Sequence, residues 1–580
     1  MTLHLKATGV SRAIGIGRAT IIPRGHIHVS KHLIEKRAVR KEKSRYLRAL
    51  KQAHQQLGEI RQQIPPGLPA DIDSFIDAHL LMLDDAALAQ APLDIIQRNC
   101  CNAEWALEQQ YQILIQAFED IDDSYLKTRK DDIEHVVSRI QRILINEESL
   151  SDMVRNKDYS GRIIIIDDLS PAEIVAIQQK GVSGFVTEFG GSLSHTAIIA
   201  KSLGIPALVG IQAARRLLKP DETIIIDGEN NALIAAPDQR IFSWYQNKRR
   251  EYRRQKKLLA ELRDQPARSI EGNKILLQAN IELPDDLKAA KKAGCMGIGL
   301  FRTEYLFMNR DSLPTEEEQF SAYRSVVRRM QGAPVTIRTM DLGADKQVDS
   351  GRSDSPLPNN PALGLRAVRL CLQDHDLFQT QLRAILRASA WGKVRIMIPM
   401  ISTVQEIKQV KAHIATVKAA LRREKIKFSK NIAVGTMIEV PAAAISASLF
   451  AEHCDFLSIG TNDLIQYTLA IDRVDDAVNY LYDPMHPAIL KLIKMTIDAG
   501  RKANIPVGMC GEMAGDTRYT RLLLGLGLSE FSMHPASLLE VKAMIRNTRV
   551  TTLEKPVKKL LRDKNASSLH DRLHKINRLP

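Results

Sequence analysis

Residues 184–210 read GFVTEFGGSLSHTAIIAKSLGIPALVG, and this stretch decides the kind of fold around it. Gly184 to Thr187 form a short apolar run ended by the Gly190-Gly191 pair, the pattern of a buried strand entering a turn. From Ser194 the apolar residues recur as on a helix. Gly204 closes that helix, and Pro206 prevents its continuation. Ala207 to Val209 then return to strand pattern. Strand, turn, helix and strand in so short a span make an α/β unit. His195 falls in the first turn of the helix, where free backbone N–H groups and the positive end of the helix dipole favour an anion. Imidazole is a nucleophile near neutral pH, able to accept a phosphoryl group and release it. A histidine beside two glycines is, taken alone, more often a capping or core-edge residue. The rest of the chain decides between the two.

Working outward, 163–166 and 223–226 also read as strands, and short β-like pieces around Gly9, Gly15 and Gly17 are expected to join the same sheet. Between them, 33–146 is strongly helical. Tyr46, Leu50, Ala53, Leu57, Ile60 and Ile64 make one apolar stripe. Leu107, Tyr111, Leu114, Phe118 and Ile121 make a second, and Ile133, Val136, Val137, Ile140 and Leu144 a third. Such helices must pack on one another, so a helical bundle is inserted into the α/β unit. Residues 240–265 (RIFSWYQNKRREYRRQKKLLAELRDQ) read as one charged connecting helix.

Beyond 270 strand candidates alternate with helical stretches. The strands are 275–280, 298–303, 335–339, 394–399, 433–439, 456–460, 507–510 and 530–533; the helices include 315–330, 404–424, 441–452 and 487–503. That rhythm matches a (β/α)8 TIM-type barrel. The chain is therefore read as multidomain α/β. An α/β domain comprises 1–30 and 150–238, a helical domain 31–149, a linker helix 239–267, a barrel 268–552 and a basic C-terminal tail 553–580.

The 580-residue total is too long for one core, which agrees with several domains. The six cysteines are scattered without metal-ligand spacing, so no disulfide framework is expected. No apolar run spans a bilayer and the start MTLHLKATGVSRA lacks a signal-peptide core, which points to a cytoplasmic protein with no membrane partner. The net charge of +15 concentrates near residue 250 and after Lys555. No RNA-binding or zinc-finger pattern accompanies it, so a solvated helix face and a tail are expected rather than nucleic-acid binding.

Several of the barrel strands end on polar residues, on the face where barrel active sites lie. Arg302 and Arg338 close otherwise apolar strands, where an unpaired buried cation is costly; an anionic ligand would explain both. Lys346 and Arg366 follow outside strands. Glu439 and Asp463 stand at adjacent strand ends and suit a hard divalent cation, with an ion pair to the arginines as the other reading. Cys510 also ends a strand; it is either an inert small apolar residue or an acid.

The segment around His195 resembles the phosphohistidine motif of the PEP-utilising enzymes. With GIGLFRTEYLFMNRDSLPTEEEQF, RTMDLGADK, QLRAILRASAWGKVRIMIPM, SIGTNDLIQYTLAIDR and GMCGEMAGD, nearly the whole chain resembles the enzyme I family of the PEP-dependent phosphotransferase system. The resemblance implies that His195 is phosphorylated from phosphoenolpyruvate and passes the group to a histidine of an HPr-type carrier. Ser170 in DDLSPAE would orient the other ring nitrogen in place of the family's Thr, with Thr196 supporting it. It further implies PEP contacts for Arg302, Arg338, Asn462 and Arg473, with Lys346 and Arg366 as added candidates. Glu439 and Asp463 would hold Mg²⁺, and Cys510 would donate a proton. Carrier docking falls on the helical domain, around DAHLLMLDDAAL (77–88) and Arg129, and the barrel is expected to form a homodimer. Ser192 and Ala344 depart from the Arg and Gly common in the sugar branch. A nitrogen-branch enzyme without a GAF domain, a pyruvate phosphate dikinase or PEP synthase relative, and a regulatory binding protein are the alternatives. The region before His195 has no Gly-rich nucleotide loop, against the dikinase reading.

Overall fold

A computed structural model describes residues 2–11, 13–22, 30–63, 70–119, 124–145, 159–169, 173–174, 177–178, 180–190, 195–308, 312–342, 361–472, 478–563 and 566–579. The chain divides into two compact units, Met1–Arg254 and Gln255–Pro580.

The first unit begins with strands β1 (Leu3–Lys6), β2 (Thr8–Gly9) and β3 (Ile14–Ile21). Six helices follow: α1 (Val39–Gln63), α2 (Ala70–Asp84), α3 (Ala86–Ala89), α4 (Ala91–Asn99), α5 (Ala103–Glu119) and α6 (Ser124–Leu144). The chain then returns to the sheet through β4 (Arg162–Ile166), β5 (Gly184–Thr187), α7 (His195–Leu203), β6 (Ala207–Val209), α8 (Ala214–Leu217), β7 (Thr223–Asp227) and β8 (Ala232–Ala235). The sheet order is β1-β8-β7-β3-β4-β5-β6-β2, with β3 to β6 parallel and the flanking pairs antiparallel. The N-terminal pieces do join this sheet. β4, with its run of isoleucines, is buried on both faces, as a central parallel strand must be. The bundle stripes point inward: Tyr46, Ala53, Leu57, Leu107, Val136, Val137 and Ile140 are buried and share a core with Ile164, Ile166 and Phe185 of the sheet.

Helix α9 (Gln239–Glu261) carries the division between the units. Its first turns belong to the sheet. Tyr245 is buried against Ile14, Ile16, Ile225 and Ile234, and its hydroxyl donates to the fully buried Asp227 at 2.9 Å.

In the second unit, β9 (Leu276–Ile281), β10 (Ile298–Phe301), β11 (Val335–Arg338), β12 (Val394–Ile398), β13 (Ala433–Ile438), β14 (Leu457–Ile459), β15 (Val507–Met509) and β16 (Glu530–Met533) close into a parallel barrel. The expected strands are all there: six stop a residue or two early where the rim loops begin, 275–280 is shifted by one to Leu276–Ile281, and 530–533 is unchanged. The helix expected over 441–452 is two, Pro441–Ile445 and Ala447–Ala451, broken at Ser446.

The segment after 553 is not a loose basic tail. It forms the helices Val550–Leu561 and Ala566–Asn577, and Leu553, Val557, Leu560, Leu569, Leu573 and Ile576 are buried in the barrel unit's core. Apolar residues at i, i+4 and i+7 make an inward stripe, while lysines and arginines take the solvent side. Arg521, buried beneath these helices, donates to the carbonyls of Asn577 (2.6 Å) and Asn547 (3.1 Å) and to Thr548.

Candidate functional site

Parallel strands in a closed barrel all end at one rim, so polar residues placed last on each strand must converge there. Arg338 ends β11 and is buried. Its guanidinium meets Asp341 Oδ2 at 2.9 Å and Glu304 Oε1 at 3.1 Å. Asp341 turns its other oxygen to Arg366, 2.8 Å away. Burial works against both guanidinium charges, but the facing carboxylates more than offset it and hold both pKa values above the ordinary arginine range. Arg338 Nε is buried with no hydrogen-bond partner among the described residues. Arg302, just past β10, is more open and pairs with Glu282 at 2.5 Å.

Glu439 follows β13 and is fully buried; its Oε1 accepts from the Met400 amide at 2.6 Å. Its Oε2 has no hydrogen-bond partner among the described residues. Burial, then the nearby charges of Asp341 and Asp463, push its carboxyl up to about 8. Asp463 lies in the first turn of the helix Thr461–Leu469, one strand over. Gly460 keeps the space beside Glu439 open, since a Cβ there would stand 3.0 Å from Oε2. An orphaned, buried carboxylate oxygen amid two further carboxylates fits a hard divalent cation: oxygen donors are present and the penalty they now carry would be relieved.

Asn462 is locked to Glu512, its Nδ2 donating to Oε1 at 3.2 Å and its Oδ1 accepting the Glu512 amide at 3.0 Å. Cys510 follows β15 and is buried, with the Ser458 hydroxyl 3.4 Å from its Sγ. Burial pushes its thiol above the ordinary cysteine value, so it stays protonated at neutral pH.

In the first unit, His195 opens α7; its side chain lies outside the described residues. Thr196 anchors that first turn, its hydroxyl bonding to the Leu169 carbonyl (2.7 Å) and to Asp168 Oδ1 (3.3 Å). Ser170, Ser192, Ala344, Lys346 and Arg473 lie outside the described residues, as does the side chain of Arg129. On α2, His79 and Leu83 are buried, and Leu81 is 70% exposed.

Arg338, Arg366, Glu439 and Asp463 are thus brought into one electrostatic cluster, and Arg302, Asn462 and Cys510 stand at the ends of the barrel strands or just past them. Sequence reasoning missed Glu304, Asp341 and Ser458. A signal existed for Asp341, which follows Arg338 by three residues in RTMD: a buried arginine demands a carboxylate within reach.

Comparison with known proteins adds three family matches. Residues 256–550 match the PEP-binding domain of PEP-utilising enzymes, 6–129 their N-terminal domain and 159–231 their mobile domain. The phosphoenolpyruvate-protein phosphotransferase of Cupriavidus necator is 45% identical over 568 residues, covering 97% of both chains. That of Bacillus subtilis is 41% identical over 542 residues, 93% of this chain and 94% of the relative. A solution structure of Enzyme I (nEIt) is 27% identical, covering 43% of this chain and 99% of its own, with a TM-score of 0.38.

Proposed function

We infer the function from membership and geometry together: the chain belongs to the PEP-utilising enzymes and, within them, to the phosphoenolpyruvate-protein phosphotransferases. It is a transferase that moves the phosphoryl group of PEP to a protein, with His195 as the relay and a histidine of an HPr-type carrier as the acceptor. The observation that carries the reading is the barrel rim, where the buried Arg338 and the half-buried Arg366 share Asp341 and the buried Glu439 keeps an unpaired carboxylate oxygen. PEP is a dianion or trianion with a carboxylate and a phosphate, and needs both kinds of partner.

We assign PEP binding to Arg302, Arg338, Asn462 and Arg473, with Lys346 and Arg366 beside them. Glu439 and Asp463 would hold Mg²⁺, which when bound supplies positive charge to the PEP oxygens. A ring nitrogen of His195, oriented by Ser170 and Thr196, attacks phosphorus. The bond from phosphorus to the enol oxygen breaks and its electron pair stays on the leaving enolate. The arginines offset the charge on the transferring group. Cys510 gives its proton to the enolate methylene, which yields pyruvate, and the thiolate recovers a proton from water. The phosphoryl group then passes from His195 to the carrier, with docking assigned to the helical segment 31–149 and centred on the exposed Leu81 side of α2.

One histidine serving two sites requires motion about 239–267. The packing of Tyr245 on the sheet supports a pivot beyond the first turns of α9 rather than at its start. A homodimer through the barrel is supported by exposed apolar side chains of that unit, among them Leu363, Ile445, Leu449 and Tyr480. Among the described residues no helix is long and apolar enough to cross a membrane. The chain is assigned to the cytoplasm as part of this reading.

Rapid-quench measurement of pyruvate tests the reading. With PEP and Mg²⁺ alone, one pyruvate per chain is expected. Continuous turnover should begin only when an HPr-type carrier is added. Steady turnover without carrier would overturn the reading.

A further inference from the structure

Away from the barrel, one trio of metal-ligating side chains stands out among the described residues. His79 on α2, with Asp132 and His135 one turn apart on α6, bring two imidazoles and a carboxylate together, their ligand atoms within 4.8 Å of one another. His79 Nε2 lies 3.2 Å from Asp132 Oδ1. Tetrahedral zinc with ligands at about 2.0–2.1 Å sets its donors roughly 3.3 Å apart, so this pair already stands at a coordination edge. His79 and Asp132 are both buried.

His135 supplies the second observation. Its Nε2 is 2.8 Å from Asp168 Oδ2; a carboxylate can only accept there, so the ring carries its proton on Nε2. In the neutral ring Nδ1 then keeps its lone pair, and it is buried with no hydrogen-bond partner among the described residues. A ring pinned by a carboxylate on one nitrogen and left bare on the other is how a metal-bound imidazole is held.

We propose that His79, Asp132 and His135 bind one divalent transition-metal ion of the zinc class, with Asp168 as the outer partner that orients His135. Two imidazoles select zinc-like ions over magnesium or calcium, which prefer all-oxygen sites. The placement gives such an ion a consequence. Asp168 also accepts from Thr196, the residue after His195, so the ion would tie α2 and α6 to the loop and helix start that present His195. That coupling rests on the role proposed for His195; metal binding does not.

The test uses the full chain, stripped with chelator, in a Glu439→Gln background so that the barrel carboxylates do not compete. Titration with Co²⁺ should give one equivalent with visible d–d bands and no thiolate charge-transfer band, displaced by one equivalent of Zn²⁺. His135→Asn and His79→Gln should each weaken binding at least about 100-fold, and Asp168→Asn about 10- to 100-fold. No bound equivalent, or an equivalent kept at full affinity in His135→Asn, overturns the proposal. Zinc-edge absorption on the unsubstituted trio covers the case of variants that fail to fold: a nitrogen and oxygen shell with two imidazoles supports the site, and a sulfur shell contradicts it.

Discussion

Asp341 Oδ2 lies 2.9 Å from Arg338, inside a buried cluster that the barrel rim closes over. The contact explains how an arginine can end an apolar strand: its charge is matched by Asp341 and Glu304 before any ligand arrives. Removing one partner from such a buried pair costs far more than deleting a surface bridge, because the remaining charge cannot regain water.

Asp341→Asn should therefore lower the stability of the barrel unit by about 3 kcal/mol. It should also raise the KM for PEP, since both Arg338 and Arg366 lose their alignment. Chemical denaturation and steady-state kinetics read the two effects separately.

Glu439 makes stability depend on pH in an unusual direction. Its carboxyl is raised from 4.5 to about 8. Between these values the folded state holds a proton that the unfolded state has lost. This group's contribution is complete below pH 4.5, falls as pH rises and is gone above about 8. A divalent cation needs the ionised form, so the rise in melting temperature on adding Mg²⁺ should be larger at pH 8 than at pH 6. Glu439→Gln should flatten both trends in thermal melts.

Cys510 is held protonated by burial. Cys510→Ala should slow pyruvate formation by about 100-fold or more while PEP binding persists. Equilibrium binding paired with quench-flow separates the outcomes, and a variant with unchanged pyruvate release would remove the thiol from the mechanism.

The C-terminal helices give a plain packing test. Leu573→Ala should cost about 2–4 kcal/mol, because Leu573 is buried in the barrel unit's core. Truncation before Leu553 should destabilise the barrel outright. A free basic tail could be removed without effect on melting.

Most of the fold was legible because apolar periodicity reports burial directly. The eight barrel strands and the bundle stripes are runs whose neighbours share one environment. The strand Ala232–Ala235 was overlooked although the Asp227-Gly228 turn before it announces a hairpin. The C-terminal stripe at 553, 557 and 560 was masked by lysines, which reach water from a helix whose other face is buried. Rim residues that end strands could be read, since each is polar where a strand should be apolar. Their partners could not. Glu304 opens the short 3-10 helix Glu304–Leu306 and Asp341 sits in a loop, where a carboxylate carries no mark of whether it faces solvent or an arginine. His79 and His135 are separated by three helices and meet only through the packing of α2 on α6.

The central claim is that His195 takes the phosphoryl group from PEP. The most direct measurement incubates the chain with phosphate-labelled PEP and Mg²⁺, beside His195→Ala. Acid-labile, base-stable label should appear on the parent, approach one per chain and map to the peptide carrying His195, with none on the variant. Equal label on His195→Ala, or an unlabelled parent that still binds PEP, would contradict the account.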